Sequence, residues 1–255
     1  MANKPTLIFV PGAWHTPECW GKVISAMEFK QYKCKPVTLP TTQDTSKHVN
    51  FANDVTAVRD VIAEEITSGR DVVLVVHSYG GGVGASAIKQ LSRKTASSDE
   101  GKGHVIGLFM AATGFIAPEQ SFLEGLGGKP PPTWDIDYEN NTVPFKVDPI
   151  DMLYHDLPKS EAESWVAKLT QQALTALTDG YELAYEGWKD VPVWYIITTE
   201  DRALPVEVQR EFAESAEKAG ADLTLREIAS SHSPMLSKPE ETEKHLEDAI
   251  ATFIA

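Results

Sequence analysis

A serine at the end of an apolar run is the first candidate for chemistry in this sequence. Residues 72–82 read VVLVVHSYGGG, so Ser78 follows five apolar residues and a histidine, and precedes a tyrosine and three glycines. A serine at a tight strand-to-helix turn can act as a nucleophile when small neighbours leave its hydroxyl exposed. Gly80 meets that requirement, whereas Val76 stands where the pattern G-x-S-x-G has its first glycine. We therefore expect a slightly displaced turn with Ser78 as the nucleophile.

A glycine-rich turn can also bind phosphate at a helix N-terminus, which is the alternative interpretation. Residues 77–82, HSYGGG, have neither the G-x-G-x-x-G spacing of dinucleotide sites nor the lysine of the G-x-x-x-x-G-K-[ST] loop. The position of Ser78 directly after an apolar run is what an exposed nucleophile requires. Nucleophilic catalysis is therefore the favoured interpretation.

Candidates for an acid and a base that would serve Ser78 are found farther along the chain. They follow the order nucleophile, acid, base that this topology has. The strand-like stretch 191–201 ends in Glu200-Asp201, and the stretch 222–228 is followed by a loop that contains His232. The three groups would then meet at strand ends, where parallel sheets collect their reactive side chains. His232 would take the serine proton, and the acid would hold its imidazole in the correct tautomer.

Two neighbouring residues compete for these roles. Glu200 precedes Asp201 and has the same chemistry, so the pattern alone leaves the acid open between them. His77 is adjacent to Ser78, but side chains next to each other at a tight turn project in different directions. We expect His77 to support the strand end and His232 to act as the base.

Two backbone N–H groups are needed to stabilise the negative charge on the attacked carbonyl oxygen. One is expected at Tyr79, directly after the serine, and the other at Ala13 in the loop PGAWH (11–15). Aromatic residues beside these loops or in the middle of the chain are candidates to line a substrate pocket; they are Trp14, Tyr79, Phe115, Trp134 and Tyr154.

Strand-like and helical runs alternate along the chain, which predicts an α/β fold with a mostly parallel central sheet flanked by helices. The predicted strands are TLIFV (6–10), CKPVTLP (34–40), DVVLVVH (71–77), HVIGLFMAAT (104–113), VPVWYIITTED (191–201) and DLTLREI (222–228). The predicted helices in this alternation cover residues 20–29, 51–66, 84–93, 205–219 and 240–254.

The alternation stops between residues 115 and 189. GGKPPPTWD contains three consecutive prolines, which exclude regular structure there. Ser160 and Glu163 resemble a capping box before a helix that would run to about Leu177. We therefore predict a core made of residues 1–114 and 190–255, with residues 115–189 inserted as a mainly helical lid.

The composition limits the classes of partner. With 255 residues, 42% of them hydrophobic, the chain can bury one sizeable core, and its net charge of −14 disfavours nucleic acid and anionic membranes. No apolar run is long enough to cross a bilayer, and Met1–Pro5 contains no signal-peptide pattern, so a cytoplasmic location is expected. Cys19 and Cys34 are expected to be free thiols. The expected partner is a small-molecule substrate, and a homodimer is left open.

Three stretches resemble the α/β-hydrolase superfamily, and they are spread along the chain, so that the resemblance covers nearly all of it. FVPGAWHTPECW resembles its oxyanion loop, VVHSYGGG its nucleophile turn, and SSHSPMLSKPEE its histidine loop. TTEDRALPVEVQREF is similar to the acid loop of the plant methylesterase and hydroxynitrile lyase subgroup, in which the aspartate of TED is the acid. The resemblance therefore implies Asp201 as the acid, and Ala13 and Tyr79 as oxyanion donors. This chain departs from the subgroup at Pro11 and Val76.

The resemblance implies hydrolysis of an ester or lactone of a small, largely apolar molecule through an acyl-enzyme. No metal or organic cofactor is expected, because the seven histidines show no metal-ligand spacing. Two alternatives stay open: a cofactor-free carbon–carbon lyase on the same three residues, and a non-catalytic receptor for a small ligand. A lyase would need a basic lid residue in the pocket; the candidates by location are Lys129, Lys146, Lys159 and Lys168.

Overall fold

A computed structural model describes residues 4–96 and 102–255, and six parallel strands form the sheet in this part of the chain. The strands are β1 (Thr6–Val10), β2 (Lys33–Pro36), β3 (Val72–His77), β4 (Val105–Ala111), β5 (Val193–Thr198) and β6 (Leu223–Ile228). Their order across the sheet is β2-β1-β3-β4-β5-β6. The predicted α/β fold with a parallel central sheet is confirmed.

The four inner strands β1, β3, β4 and β5 consist only of buried residues. Strands covered on both faces have continuous apolar sequences, which is why these four were recognisable from sequence. The edge strands β2 and β6 are partly exposed. Pro36 ends β2, and a proline without an N–H is tolerated at such an edge.

Helices cover both faces of the sheet. They are α1 (Gly21–Phe29), α2 (Phe51–Thr67), α3 (Gly80–Ala87), α4 (Phe122–Gly125), α5 (Pro149–Leu153), α6 (Lys159–Val166), α7 (Thr175–Thr178), α8 (Val206–Lys218), α9 (Pro234–Ser237) and α10 (Pro239–Phe253). Leu7 and Phe9 of β1 pack with α1 and α10, whereas Ile8 and Val10 pack with α2 and α3. Alternate residues of one strand thus build two separate cores.

Within the predicted alternation of strands and helices, the boundaries of two elements differ most from the structure. The helix expected over residues 84–93 is α3, which begins at Gly80, directly after the serine turn, and ends at Ala87. Gln90 has a φ of 63°, a left-handed conformation that a continuing helix excludes. The strand expected over residues 34–40 stops at Pro36.

The segment 115–189 is less helical than predicted. Its α-helices are the short α4 to α7, joined by 3₁₀ turns, irregular backbone and isolated antiparallel bridges. The predicted capping box at Ser160 is absent, because α6 already begins at Lys159 after Pro158. A capping box forms instead at the start of α4, where Ser121 and Glu124 exchange two hydrogen bonds. The predicted helix from Ser160 to Leu177 is therefore interrupted after Val166.

Cys19 is buried, Cys34 is half-buried, and both are free thiols. In residues 4–96 and 102–255, none of the helices combines the length and apolar character needed to span a bilayer.

Candidate active site

Ser78 lies at the carboxyl end of β3 in a strained conformation. Its φ is 49°, in the left-handed region that a side chain disfavours. The turn is held by three hydrogen bonds: the Ser78 N–H donates to the Ala111 carbonyl at 3.1 Å, and the Ser78 carbonyl accepts from the Gly81 N–H at 2.8 Å and from Thr113 Oγ1 at 2.5 Å. Strain of this kind persists only where the surroundings over-determine it.

Val76 is accommodated by a glycine in the following helix. A Cβ placed on Gly84 would lie 2.6 Å from Val76 Cγ1, so the valine methyl occupies the space that Gly84 leaves open. Val76 is fully buried there. The pattern G-x-S-x-G has a glycine on the strand at this position, whereas here the glycine lies on α3 and the larger residue on β3. The helix therefore provides the room for Val76.

This exchange of space predicts a coupled pair. Gly84→Ala is expected to lower the free energy of unfolding by about 1–3 kcal/mol, because the new methyl overlaps Val76. In a Val76→Ala background the same substitution should cost clearly less, giving a coupling of about 0.5–3 kcal/mol in urea unfolding. Gly21→Ala is the matched control, since a Cβ at Gly21 meets nothing within 4 Å. An equal effect of Gly84→Ala in both backgrounds would contradict the shared space.

The structure brings Ser78, His232 and Asp201 together. His232 Nε2 lies 2.9 Å from Ser78 Oγ, and His232 Nδ1 lies 2.7 Å from Asp201 Oδ2. The carboxylate can only accept, so the imidazole donates from Nδ1 and leaves Nε2 to accept the serine proton. These three residues follow β3, β5 and β6, and so they meet at the carboxyl end of the sheet.

Asp201 is built to stay ionised. Its Oδ1 accepts the N–H groups of Ala203 and Leu204, each at 2.8 Å, and its Oδ2 accepts from Thr198 Oγ1 at 2.8 Å. Burial alone would raise the pKa of this carboxyl, but His232 and the surrounding donors lower it below its usual value. An ionised carboxylate in this position favours the Nδ1–H tautomer of His232.

The two competing residues take other places. The side chain of Glu200 is exposed, and its carbonyl accepts a hydrogen bond from His155 Nε2. His77 is fully buried, and its Nε2 donates to the main-chain carbonyl of His232 at 2.7 Å. Burial lowers the pKa of His77 well below its usual value. His77 therefore supports the loop that carries His232, a contact that no sequence pattern indicated.

The predicted oxyanion loop passes close to the serine. A Cβ placed on Gly12 would lie 2.9 Å from Ser78 Cβ, so only a glycine permits this approach. In the described part of the chain, neither the Ala13 N–H nor the Tyr79 N–H donates to a backbone carbonyl. Both groups are thus available to a carbonyl oxygen of a substrate.

Tyr154 does not line the pocket, contrary to the prediction. Its side chain is fully buried, and its hydroxyl donates to His15 Nε2 at 2.6 Å. His15 Nδ1 in turn donates to the Ala13 carbonyl at 2.7 Å. Burial lowers the pKa of His15 to about 4, which keeps the ring neutral and able to accept from Tyr154. Tyr154 therefore supports the predicted oxyanion loop through His15, a contact that no sequence pattern indicated.

A cavity of about 260 Å³ opens beside Ser78 and His232. Trp14, Tyr79, Phe115 and Trp134 line it, as predicted for a pocket wall. The wall also contains several apolar residues that no sequence pattern could select, among them Phe51, Ile116, Phe122, Tyr181, Leu204 and Phe212. No lysine, arginine, aspartate or glutamate of the described chain is part of the lining.

The four lysines considered for a lyase lie outside the cavity lining. Three of them form ion pairs elsewhere: Lys146 with Asp135 at 3.4 Å, Lys159 with Glu163 at 3.8 Å, and Lys168 with Glu18 at 3.0 Å.

Comparison with known proteins gives concordant matches. The alpha/beta hydrolase family profile matches residues 7–245. Alpha/beta hydrolase nvfD of Aspergillus novofumigatus is 29% identical over 239 residues, which cover 93% of each chain. Among solved structures, polyneuridine aldehyde esterase superposes with a TM-score of 0.74 at 21% identity, covering 96% of this chain and 99% of that one. The methylesterase MES16 from Arabidopsis gives 0.74 at 19% identity, covering 97% and 99%.

Proposed function

The chain belongs to the alpha/beta hydrolase family, and on this premise we propose that it is a serine hydrolase for an ester or lactone of a small, largely apolar molecule. The observation that carries the proposal is the continuous contact from Asp201 through His232 to Ser78, at 2.7 and 2.9 Å, beside an uncharged cavity. A hydroxyl, a base and an orienting acid in this geometry are what acyl transfer needs.

The reaction proceeds in two halves. Ser78 Oγ attacks the carbonyl carbon while its proton passes to His232 Nε2, and Asp201 stabilises the imidazolium that forms. The N–H groups of Ala13 and Tyr79 stabilise the oxyanion. His232 then protonates the leaving alcohol, and the acyl-enzyme remains. Water, activated by His232, releases the acid and restores the serine.

The cavity favours a neutral substrate. Its wall is aromatic and aliphatic. The ring of Trp134 packs edge-on against Trp14, with 5.3 Å between ring centroids, and stacks on Phe122, with 5.9 Å between ring centroids. A carboxylate or ammonium group of a substrate would lose its hydration in this wall without gaining a partner. The substrate is therefore a neutral molecule with an apolar body.

Residues 115–189 act as the cover of this cavity. They supply Phe115, Trp134, Met152 and Tyr181 to its wall, whereas Ser78 and His232 come from the segments that follow β3 and β6. A cover of this kind keeps bulk water from the acyl-enzyme and strengthens the electrostatic contacts inside.

The alternatives have weaker support. A lyase on the same three residues would need a basic group in the cavity, and the lining in the described chain has none apart from His232. A receptor needs no serine held at 2.9 Å from an imidazole whose other nitrogen meets a buried carboxylate. Hydrolysis uses each of these contacts.

The proposal is tested by labelling and turnover together. We expect a fluorophosphonate to label the tryptic peptide that contains Ser78. We also expect the protein to release p-nitrophenol from a short-chain p-nitrophenyl ester, and the same fluorophosphonate to inhibit this turnover. Mandelonitrile serves as the cyanohydrin probe for the lyase. Absence of both labelling and ester turnover would contradict a hydrolase, and cyanohydrin cleavage without ester turnover would support the lyase instead.

A further inference from the structure

A buried carboxylate that the reaction does not use lies behind the active site. Asp54 of α2 is fully buried, and its donors in the described part of the chain are all uncharged. Thr41 donates to it from its hydroxyl at 2.6 Å and from its N–H at 3.0 Å, and the Tyr79 hydroxyl donates at 2.7 Å. Burial raises the pKa of Asp54 to about 6, although these donors act to lower it. A buried acid without a basic partner is unfavourable for stability, so its contacts point to another role.

The contacts of Asp54 lead to both sides of the predicted oxyanion hole. On one side is Tyr79, which follows Ser78. On the other, Thr41 Oγ1 accepts from Gln172 Nε2 at 3.0 Å, and Gln172 Oε1 accepts from the Trp14 N–H at 3.3 Å. We call the four side chains of Thr41, Asp54, Tyr79 and Gln172 the Asp54 network. All four are buried.

Both ends of the Asp54 network lie at backbone that needs support. Trp14 has a φ of 62°, and Ser78, which directly precedes Tyr79, has a φ of 49°. Both values lie in the region disfavoured for residues with side chains. The peptide between Ala13 and Trp14 is held at its carbonyl by His15 and at its N–H by Gln172. Holding this peptide restrains the backbone on one side of Ala13, and so limits the directions that the Ala13 N–H can take.

We propose that Asp54 is a positioning residue that aims the Ala13 and Tyr79 N–H groups at the developing oxyanion through the Asp54 network. This inference rests on the proposed hydrolase function. Hydrogen bonds to a carboxylate are shorter and stronger than neutral ones, which suits a group that must hold two loops in register. The charge on a substrate oxygen appears only in the transition state, so precise donors raise kcat more than they improve binding.

The test compares Asp54→Asn and Tyr79→Phe with wild type on a p-nitrophenyl ester. Asparagine preserves the shape but loses the charge, and phenylalanine removes only the hydroxyl. Each variant is expected to lower kcat about 10- to 100-fold with KM changed less than about threefold, because small displacements of donors lower the rate strongly. Affinity for a boronic acid, which forms a tetrahedral adduct on serine, should fall in parallel.

Tyr185→Phe is the matched control. The Tyr185 hydroxyl also donates to an aspartate, Asp190 Oδ2 at 2.9 Å, but this pair lies outside the cavity lining. Its kcat and boronic acid affinity should stay within about twofold of wild type. Any equal loss in Tyr185→Phe would show that removing such a bond acts through general stability and would overturn the positioning role.

Thermal melting separates the outcomes further. A lower melting temperature with unchanged kcat would make Asp54 a structural residue only, and a raised KM with unchanged kcat would place it in substrate binding; either result overturns the proposal. If Asp54→Asn does not fold, Tyr79→Phe decides. If wild type itself neither turns over ester nor reacts with fluorophosphonate, the proposed function fails. If wild type is active and both variants keep its kcat, only the positioning role of Asp54 is overturned.

Discussion

Ser78→Ala is expected to lower kcat for a p-nitrophenyl ester by about a million-fold, to the level of the residual catalysis that binding and oxyanion donors provide. In the proposed mechanism Ser78 Oγ forms the acyl bond, so the substitution removes that atom and leaves His232 Nε2 without the hydroxyl that lies 2.9 Å away. Fluorophosphonate labelling should disappear with turnover. Stability should not fall, because alanine at this strained position introduces no new contact.

The control for this prediction is another serine of the same region. Ser86 lies in α3, and its hydroxyl donates to the Gly82 carbonyl at 2.7 Å. Ser86→Ala removes a buried hydroxyl without touching the contact between Ser78 and His232, so labelling should persist. Full turnover by Ser78→Ala would refute the assignment of the nucleophile, whatever the behaviour of the control.

Asp201→Asn is expected to lower kcat about 10³- to 10⁴-fold. An amide can present an N–H to His232 Nδ1, and the imidazole then carries its proton on Nε2, where it cannot accept one from Ser78. In the wild-type protein the Asp201 carboxylate also accepts hydrogen bonds from Ala203, Leu204 and Thr198. An amide has only one accepting oxygen, so it fits among these donors less well. The loss should appear in kcat at saturating ester, with the fold intact by circular dichroism.

Glu200→Gln distinguishes the two adjacent acids. The side chain of Glu200 is exposed and makes no contact with His232 in the described structure, so this variant should keep kcat within about twofold. A larger loss in Glu200→Gln than in Asp201→Asn would assign the acid to Glu200.

Much of the fold follows from patterns that burial imposes on sequence. The inner strands are continuous apolar runs because both faces are covered, and α2 was recognisable from its apolar face and its start at Phe51. The three predicted triad residues could be placed because parallel strands end at one edge. Spacing alone could not choose Asp201 over Glu200, since the two are adjacent and alike, and the choice came from the resemblance of the TED stretch. In the structure it is Asp201 whose Oδ2 lies 2.7 Å from His232 Nδ1.

The remaining features depend on contacts between distant parts of the chain. Val76 reads as a defect in the serine motif until Gly84 is seen to provide its space. Tyr154 reads as a pocket aromatic until its hydroxyl is found on His15. Asp54 has no motif at all, and its importance comes from donors on two other segments. Such pairings have no local signature, because folding alone brings the partners together.

The anchoring of Trp14 has a consequence for recombining this enzyme with its homologues. Its indole N–H donates to the Val143 carbonyl at 2.7 Å, 129 positions away, and its main chain is bonded to Thr170 and Gln172. A chimera that takes residues 115–189 from another parent would separate the tryptophan from all three. Crossovers that inherit the PGAWH loop together with that segment keep the partners matched. Directed evolution for new selectivity should therefore exchange residues 11–15 and residues 115–189 together, as one unit of recombination.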